Sequence, residues 1–80
     1  MRTVYLLESL SHAEKRYVGI TDDLSRRLSE HNAGKSAHTS IHAPWKCVVA
    51  VAFDDPNKAR DFEKYLKSGS GHSFAARHFW

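Results

Sequence analysis

The apolar positions of this chain fall in short runs whose period changes along the sequence. Val4-Tyr5-Leu6-Leu7 is a β-type run, and after the polar stretch Ser9 to Lys15 comes a second, Arg16-Tyr17-Val18-Gly19-Ile20. Two such runs around a polar turn predict a hairpin. The period then lengthens. Thr21 to Asn32 opens on a cap-type residue followed by two acids and ends at Asn32-Ala33-Gly34, which are helix start and stop signals. Leu24 and Leu28, one turn apart, predict its inward stripe, with Arg27 and His31 flanking it. Residues 33–44 are small, polar and histidine-bearing and predict a loop or a short irregular helix. Trp45 to Phe53 is the longest β-favouring stretch, apolar at both alternating sets of positions, and predicts the central strand of a sheet. Asp55-Pro56 supplies a cap and a proline at the first helical position. A second helix is expected to about Lys67, with Ala59, Phe62 and Leu66 inward and Ser68-Gly69 as its stop. Ser70 to Trp80 predicts a glycine-containing turn with one last helical turn. The fold class expected is a small α/β (α+β) domain, a three-stranded antiparallel sheet flanked by helices.

Composition narrows what such a domain can do. Eighty residues make one small domain over 1–80, too little for a dehydrogenase- or kinase-sized fold, so function is expected on the surface or in a shallow groove. Hydrophobic residues at 41% and charged residues at 26% belong to a chain that folds. The single Cys47 excludes an internal disulfide framework and suits a reducing compartment. The apolar run at the start is interrupted by Glu8, too early for a signal-peptide core. Cys47 to Phe53 is far shorter than the about 20 residues a bilayer requires. The cytoplasm is therefore the expected location, with no membrane contact.

Twelve Lys and Arg against nine Asp and Glu give only +3, but the distribution is uneven. Between Glu30 and Asp54 lie His31, Lys35, His38, His42 and Lys46 with no acid. After Glu63 there is again no acid, while Lys64, Lys67, His72, Arg77 and His78 follow. Two acid-free basic stretches predict a local positive face, which attracts phosphate backbones.

One set of positions carries chemistry. Tyr5 and Tyr17 sit on the two strands of the expected hairpin, the second followed by Gly19, where a strand glycine admits close approach. Arg27 and His31 follow on the first helix. Glu63 lies about 60° from Leu66 around the second helix and is expected to be half sheltered. These residues resemble the GIY-YIG nuclease family in its small stand-alone form. Thr3-Val4-Tyr5 stands where the family has its first triplet and Tyr17-Val18-Gly19 where it has its second. Further matches are Gly19-Ile20-Thr21-Asp22-Asp23-Leu24 with Arg26-Arg27-Leu28, then Glu30-His31-Asn32-Ala33-Gly34-Lys35, Pro44-Trp45-Lys46, and Glu63-Lys64-Tyr65-Leu66-Lys67-Ser68-Gly69-Ser70-Gly71. The blocks occur in order and cover nearly the whole chain. The sequence departs from the pattern at Thr3, which replaces a glycine, at two valines in place of isoleucine, and in having no Asn after Glu63.

The resemblance implies the GIY-YIG fold and hydrolysis of a DNA phosphodiester with one divalent cation, Mg²⁺ or Mn²⁺, in a setting such as DNA repair or recombination. By that resemblance Glu63 is the metal ligand, a carboxylate suited to a hard cation. Arg27 would hold non-bridging phosphate oxygens through its planar fork. Tyr5 and Tyr17 would position or deprotonate the water, with Tyr17 the better-placed base; an ordinary phenol near pKa 10 is a weak base at neutral pH, so the role draws on nearby positive charge. His31 would contact the phosphate or relay a proton. Gly19 would leave room beside the backbone, and Lys35, Lys46, Lys64 and Lys67 are expected contacts to the DNA strand. Family members with defined targets carry an extra binding domain, and without one the expected binding is weak and unspecific.

Other readings use the same residues differently. Tyr5 and Tyr17 can be half-buried strand residues, Arg27 a partner of Asp23, and Glu63 a partner of Lys67. His38, His42 and Cys47 invite a zinc site, but a structural zinc wants four ligands at tight spacing. The Lys67-to-Gly71 turn could offer backbone N–H groups to phosphate. As a whole the chain could be a nucleic-acid-binding module that cuts nothing. It could also be a nuclease subunit activated by a protein partner that docks on an exposed Phe79-Trp80 tail. Neither the oligomeric state nor the preferred DNA structure is fixed by the residues.

Overall fold

The computed structural model describes residues 1–80. Three strands and three helices follow one another as β1 (Arg2–Ser9), β2 (Arg16–Thr21), α1 (Leu24–Asn32), β3 (Trp45–Phe53), α2 (Pro56–Leu66) and α3 (Gly69–His78), with a single 3-10 turn at Ser40–His42 inside the 33–44 connection. The sheet is antiparallel in the order β2-β1-β3. The fold is thus the three-stranded α+β arrangement expected.

The centre of the sheet is β1, not β3. Val4, Tyr5, Leu6 and Leu7 are consecutive and all buried, so this strand is covered on both faces. Trp45 to Phe53 is just as apolar, but beyond Trp45 its valines and alanines are only partly buried or exposed, and it forms an edge. Apolarity at both sets of alternating positions therefore marked the wrong strand. Small Val and Ala side chains tolerate an edge, while the bulky Tyr-Leu-Leu run requires cover from both sides.

The two faces of β1 build two cores. Val4 and Leu6 pack with Ala59 and Leu66 of α2 and Ala75 of α3. Tyr5 and Leu7 face the other way and pack with Trp45, Tyr17, Leu24 and Leu28, the last two from α1. Full burial of each such leucine stabilises the fold by about 1.5–3 kcal/mol. Helix α1 therefore closes one face of the sheet, and α2 with α3 closes the other.

Each helix begins at a side-chain cap. The Asp23 carboxylate accepts from the Arg26 N–H (3.1 Å), Asp55 from Asn57 N–H (2.8 Å), and Ser68 Oγ from Gly71 N–H (3.2 Å). Because Asp23 is the cap, it is not the ion-pair partner of Arg27. The Ser68 cap opens a full helix where only a turn and a last helical turn were expected. Gly71 does not terminate anything: a Cβ there would collide with the Tyr65 carbonyl, so the residue lets α3 start directly against the end of α2. The aromatic end of the chain folds back, the N–H groups of Phe79 and Trp80 both reaching the Ala75 carbonyl (2.8 and 2.9 Å), and both rings pack on the α2/α3 core. No helix is long and apolar enough to cross a membrane.

Candidate active site

The hairpin register assembles the centre of the site. Tyr5 stands opposite Gly19 and Leu7 opposite Tyr17, so alternation puts Tyr5, Tyr17 and Gly19 on the face covered by α1. The Tyr5 ring lies across Gly19: a Cβ there would overlap the Tyr5 hydroxyl and sit 2.9 Å from the Tyr17 ring. The space expected to be open for a substrate is thus filled by the chain's own phenol, and Gly19 seats Tyr5. The two phenol rings are 6.1 Å apart between centroids.

From α1, His31 closes this cluster. It is fully buried rather than flanking the helix's apolar stripe, with its ring 5.9 Å from Tyr5 and 5.0 Å from Tyr17. His31 Nε2 hydrogen-bonds to the Tyr5 hydroxyl (3.0 Å) and Nδ1 to the Thr39 hydroxyl (2.7 Å). Both ring nitrogens are therefore satisfied by neutral hydroxyls, one donating and one accepting in either tautomer. Burial, and secondarily the Arg27 charge, lowers the His31 pKa, which keeps the imidazole neutral.

Burial divides the two phenols. Tyr5 is 1% exposed, and its pKa is pushed up to about 12, first by burial and then by the neighbouring Tyr17, against the lowering effect of Arg27. It is a neutral hydroxyl at any physiological pH and can give a hydrogen bond but not take up a proton. Tyr17 is only half-buried and is the phenol that reaches the surface. The Arg27 guanidinium lies beside both, while its well-formed hydrogen bond goes to Glu30 (3.1 Å). That ion pair, followed by contact with the Tyr5 hydroxyl, raises the Arg27 pKa and fixes a permanent positive charge at the rim.

Glu63 stands apart from these four groups. It belongs to α2, on the Val4 and Leu6 side of the sheet, and its side chain is 18% exposed, as sheltered as its angle to Leu66 implied. Lys67 Nζ donates to Oε2 at 3.2 Å, and Oε1 has no hydrogen-bond partner in the protein. Tyr17 of the phenol cluster and Lys67, the partner of Glu63, line one groove of about 570 Å³ along the edge strand β2. No three His, Cys, Asp or Glu side chains come together to hold a metal ion, so His38, His42 and Cys47 form no such group. A hard divalent cation needs less from the protein, since one carboxylate with water and substrate phosphate can complete its shell, and Glu63 Oε1 offers that one oxygen.

The expected DNA-contacting lysines do not share one place. Lys67 borders the groove, and Lys64 is exposed on the last turn of α2. Lys35 follows α1, its N–H bonded to the Glu30 carbonyl (3.0 Å). Lys46 is drawn to Glu8 at 3.8 Å, and Glu8 also holds Arg16 at 3.8 Å, all on the sheet face away from the phenols. The Lys67-to-Gly71 N–H groups are largely taken into the α2 end and the Ser68 cap.

The chain matches the family model of the GIY-YIG catalytic domain over residues 1–74. It belongs to the GIY-YIG family. It is 42% identical over 52 residues to a UPF0213 protein of Lactococcus lactis subsp. cremoris, a match covering 64% of this chain and 53% of that protein. It thus spans about half the length of that curated relative. A UPF0213 protein of Cupriavidus pinatubonensis is 35% identical over 78 residues, 92% of this chain and 84% of the relative. Among solved structures, the solution NMR structure of a UPF0213 protein from Bacillus halodurans superposes with a TM-score of 0.57 at 28% identity, covering 96% of this chain and 84% of that one.

Two residues that build this GIY-YIG site were given no role in it by the sequence. Thr39 is 1% exposed in the 33–44 connection and holds His31 from below, while its carbonyl accepts from Trp45 Nε1 (2.9 Å). Asn32 grips the start of β3, accepting from Trp45 N–H (2.6 Å) and donating to the Trp45 carbonyl (3.1 Å). Asn32 had a local reading as a helix stop. Thr39 had none, because its partner depends on how the connection folds over α1.

Proposed function

We propose that this protein is a divalent-metal-dependent DNA endonuclease that hydrolyses phosphodiesters, working in the cytoplasm on DNA undergoing repair or recombination. The observation that carries this reading is the division between two phenols of one hairpin. Tyr5 is sealed and held protonated against His31, and Tyr17 is open beside a permanent guanidinium charge. In this reading Tyr17 orients the attacking water and, acting as the phenolate, receives its proton. Arg27 holds the non-bridging phosphate oxygens, where charge accumulates as phosphorus becomes pentacoordinate. Tyr5 is hydrogen-bonded inward to His31 and sets the position of both rings. His31, having no exposed surface, acts through Tyr5 as a positioning residue and not on the phosphate. Glu63 is the residue to hold Mg²⁺ or Mn²⁺, which when bound would neutralise phosphate charge and assist the departing 3′ oxygen. Cys47, its thiol pushed up by burial, takes no part. Membership of the GIY-YIG family supports the same reaction class.

A second reading, a nucleic-acid-binding module without cleavage, draws on the separation of Glu63 from the phenol cluster and its pairing with Lys67. Against the third, a partner docked on the aromatic tail, stands the packing of the partly buried Phe79 and Trp80 on the protein's own core. The experiment is incubation with branched, flapped and single-stranded DNA plus Mn²⁺, beside Glu63→Ala. Cleavage that falls by about 10²-fold or more in the variant is expected. Salt-dependent binding that survives Glu63→Ala, with no metal-dependent cleavage of any substrate, would replace the nuclease reading with the binding module.

A further inference from the structure

Beside Tyr17 the protein carries a groove most of whose lining has no role in the cleavage reading. It runs along the outer edge of β2 to the end of α2 and the side of α3, encloses about 570 Å³, and is lined by Lys15, Arg16, Tyr17, Lys67, His72 and Trp80 among others. Glu14 is the one acid in its wall. We infer that this groove seats an unpaired stretch of a DNA strand, one or two nucleotides beyond a phosphate held at Tyr17, with a base packed against the Arg16–Trp80 pair. The inference rests on the nuclease reading above and names its substrate class.

Three observations support it. The volume suits a small ligand, within the range of about 300–1,000 Å³ that such pockets occupy, and so a nucleotide or two rather than a double helix. The lining combines cations with aromatic rings, the combination by which proteins track a single strand: the cations follow the phosphates and the rings receive bases of any sequence. Third, Arg16 lies over the Trp80 ring, 4.7 Å from its centroid, and is tied to Glu8 only at 3.8 Å with its side chain 45% exposed. A guanidinium stacked on an indole presents a second flat, positively charged surface, on which a base can stack in turn. Tyr17 belongs both to the groove and to the phenol cluster, so a strand lying here meets the site without crossing the sheet. A flap or a frayed end has this form, whereas an intact duplex presents its bases to no such groove.

The test is an amide NMR titration of the whole chain with the oligonucleotide (dT)6, without metal, at low salt. Parallel titrations use a six-residue uridine oligomer, a short blunt duplex and an acidic peptide. Expected are shifts confined to Lys15–Val18, His72, Ala76 and the Trp80 indole. Lys15→Glu and His72→Glu, both at exposed positions outside the phenol cluster, should each weaken (dT)6 binding on the order of tenfold, and loss of the Lys15 charge should lower the salt slope by about 0.7. Shifts centred elsewhere, binding indifferent to both substitutions, or tighter binding of the uridine oligomer, the duplex or the peptide would overturn the inference. Because the titration needs no cleavage, it separates the two claims. Binding in the groove without cleavage under Mn²⁺ upholds the groove and removes the nuclease. Cleavage with (dT)6 shifts away from the groove does the reverse.

Discussion

Tyr5 and His31 share a 3.0 Å hydrogen bond inside the protein, and burial keeps each of them uncharged for the same reason, that neither ion would be solvated there. The consequences for stability have opposite signs on the pH axis. The folded His31 pKa lies below its unfolded value of about 6.5, so on acidification the unfolded chain takes up a proton that the native protein refuses. The stability contributed by burying His31 is complete above about pH 6.5 and is lost as pH falls through the folded value. Urea unfolding followed downward from neutral pH should show this loss, and a His31→Gln variant should lack that part of the slope. For Tyr5 the folded pKa of about 12 exceeds the unfolded value of about 10. Its contribution is complete below about pH 10 and disappears as pH rises through about 12. Phenolate absorbance should therefore show one of the three tyrosines titrating last, a step absent in Tyr5→Phe; a last step unchanged by that substitution would refute the assignment. These partnerships were legible only in part. The spacing of Tyr5, Tyr17, Arg27 and His31 marked them as a set, but nothing local indicated that His31 would be fully buried, or that Thr39 would complete it, because that depends on the path of the 33–44 connection.

At the scale of elements, periodicity served well wherever a cap or a proline stood beside it. Asp55-Pro56 fixed the start of α2, while the start read at Thr21 for α1 came early, because Asp23 and not Thr21 is its cap. It failed in two places, each for a physical reason. Composition cannot distinguish a central strand from an edge strand of small apolar residues, so β3 read as the centre. Gly69 and Gly71 read as breakers because glycine costs helix stability, yet at Gly71 that cost is offset by closeness to α2 that any side chain would prevent, while Gly69 faces open space at the first turn of α3. Gly71→Ala should therefore destabilise the protein, by about 1–3 kcal/mol, although alanine is the better helix former. Chemical denaturation measures this, and a stabilised variant would show that α3 does not need the close approach.

For the molecule as a whole, the sheet order decides how the site can work. With β1 central and β2 at the edge, one face carries the phenols, Arg27 and His31 under α1, and the other carries Glu63 on α2. Tyr17 and Lys67 line one groove at the β2 edge, and the proposed reaction requires both faces to reach the same phosphate there. The family blocks in the sequence implied a single constellation; the structure places its parts on two faces of the sheet. That cooperation is tested most directly by Mn²⁺-induced paramagnetic broadening of amide signals, recorded with a phosphorothioate single strand that resists hydrolysis. Broadening should centre on Glu63 and Lys67 and extend around the edge to Tyr17 and Gly19, leaving Val49 and Val51 of the opposite edge strand sharp. Broadening centred on His12 and His42, or confined to α2 with Tyr17 unaffected, would contradict it.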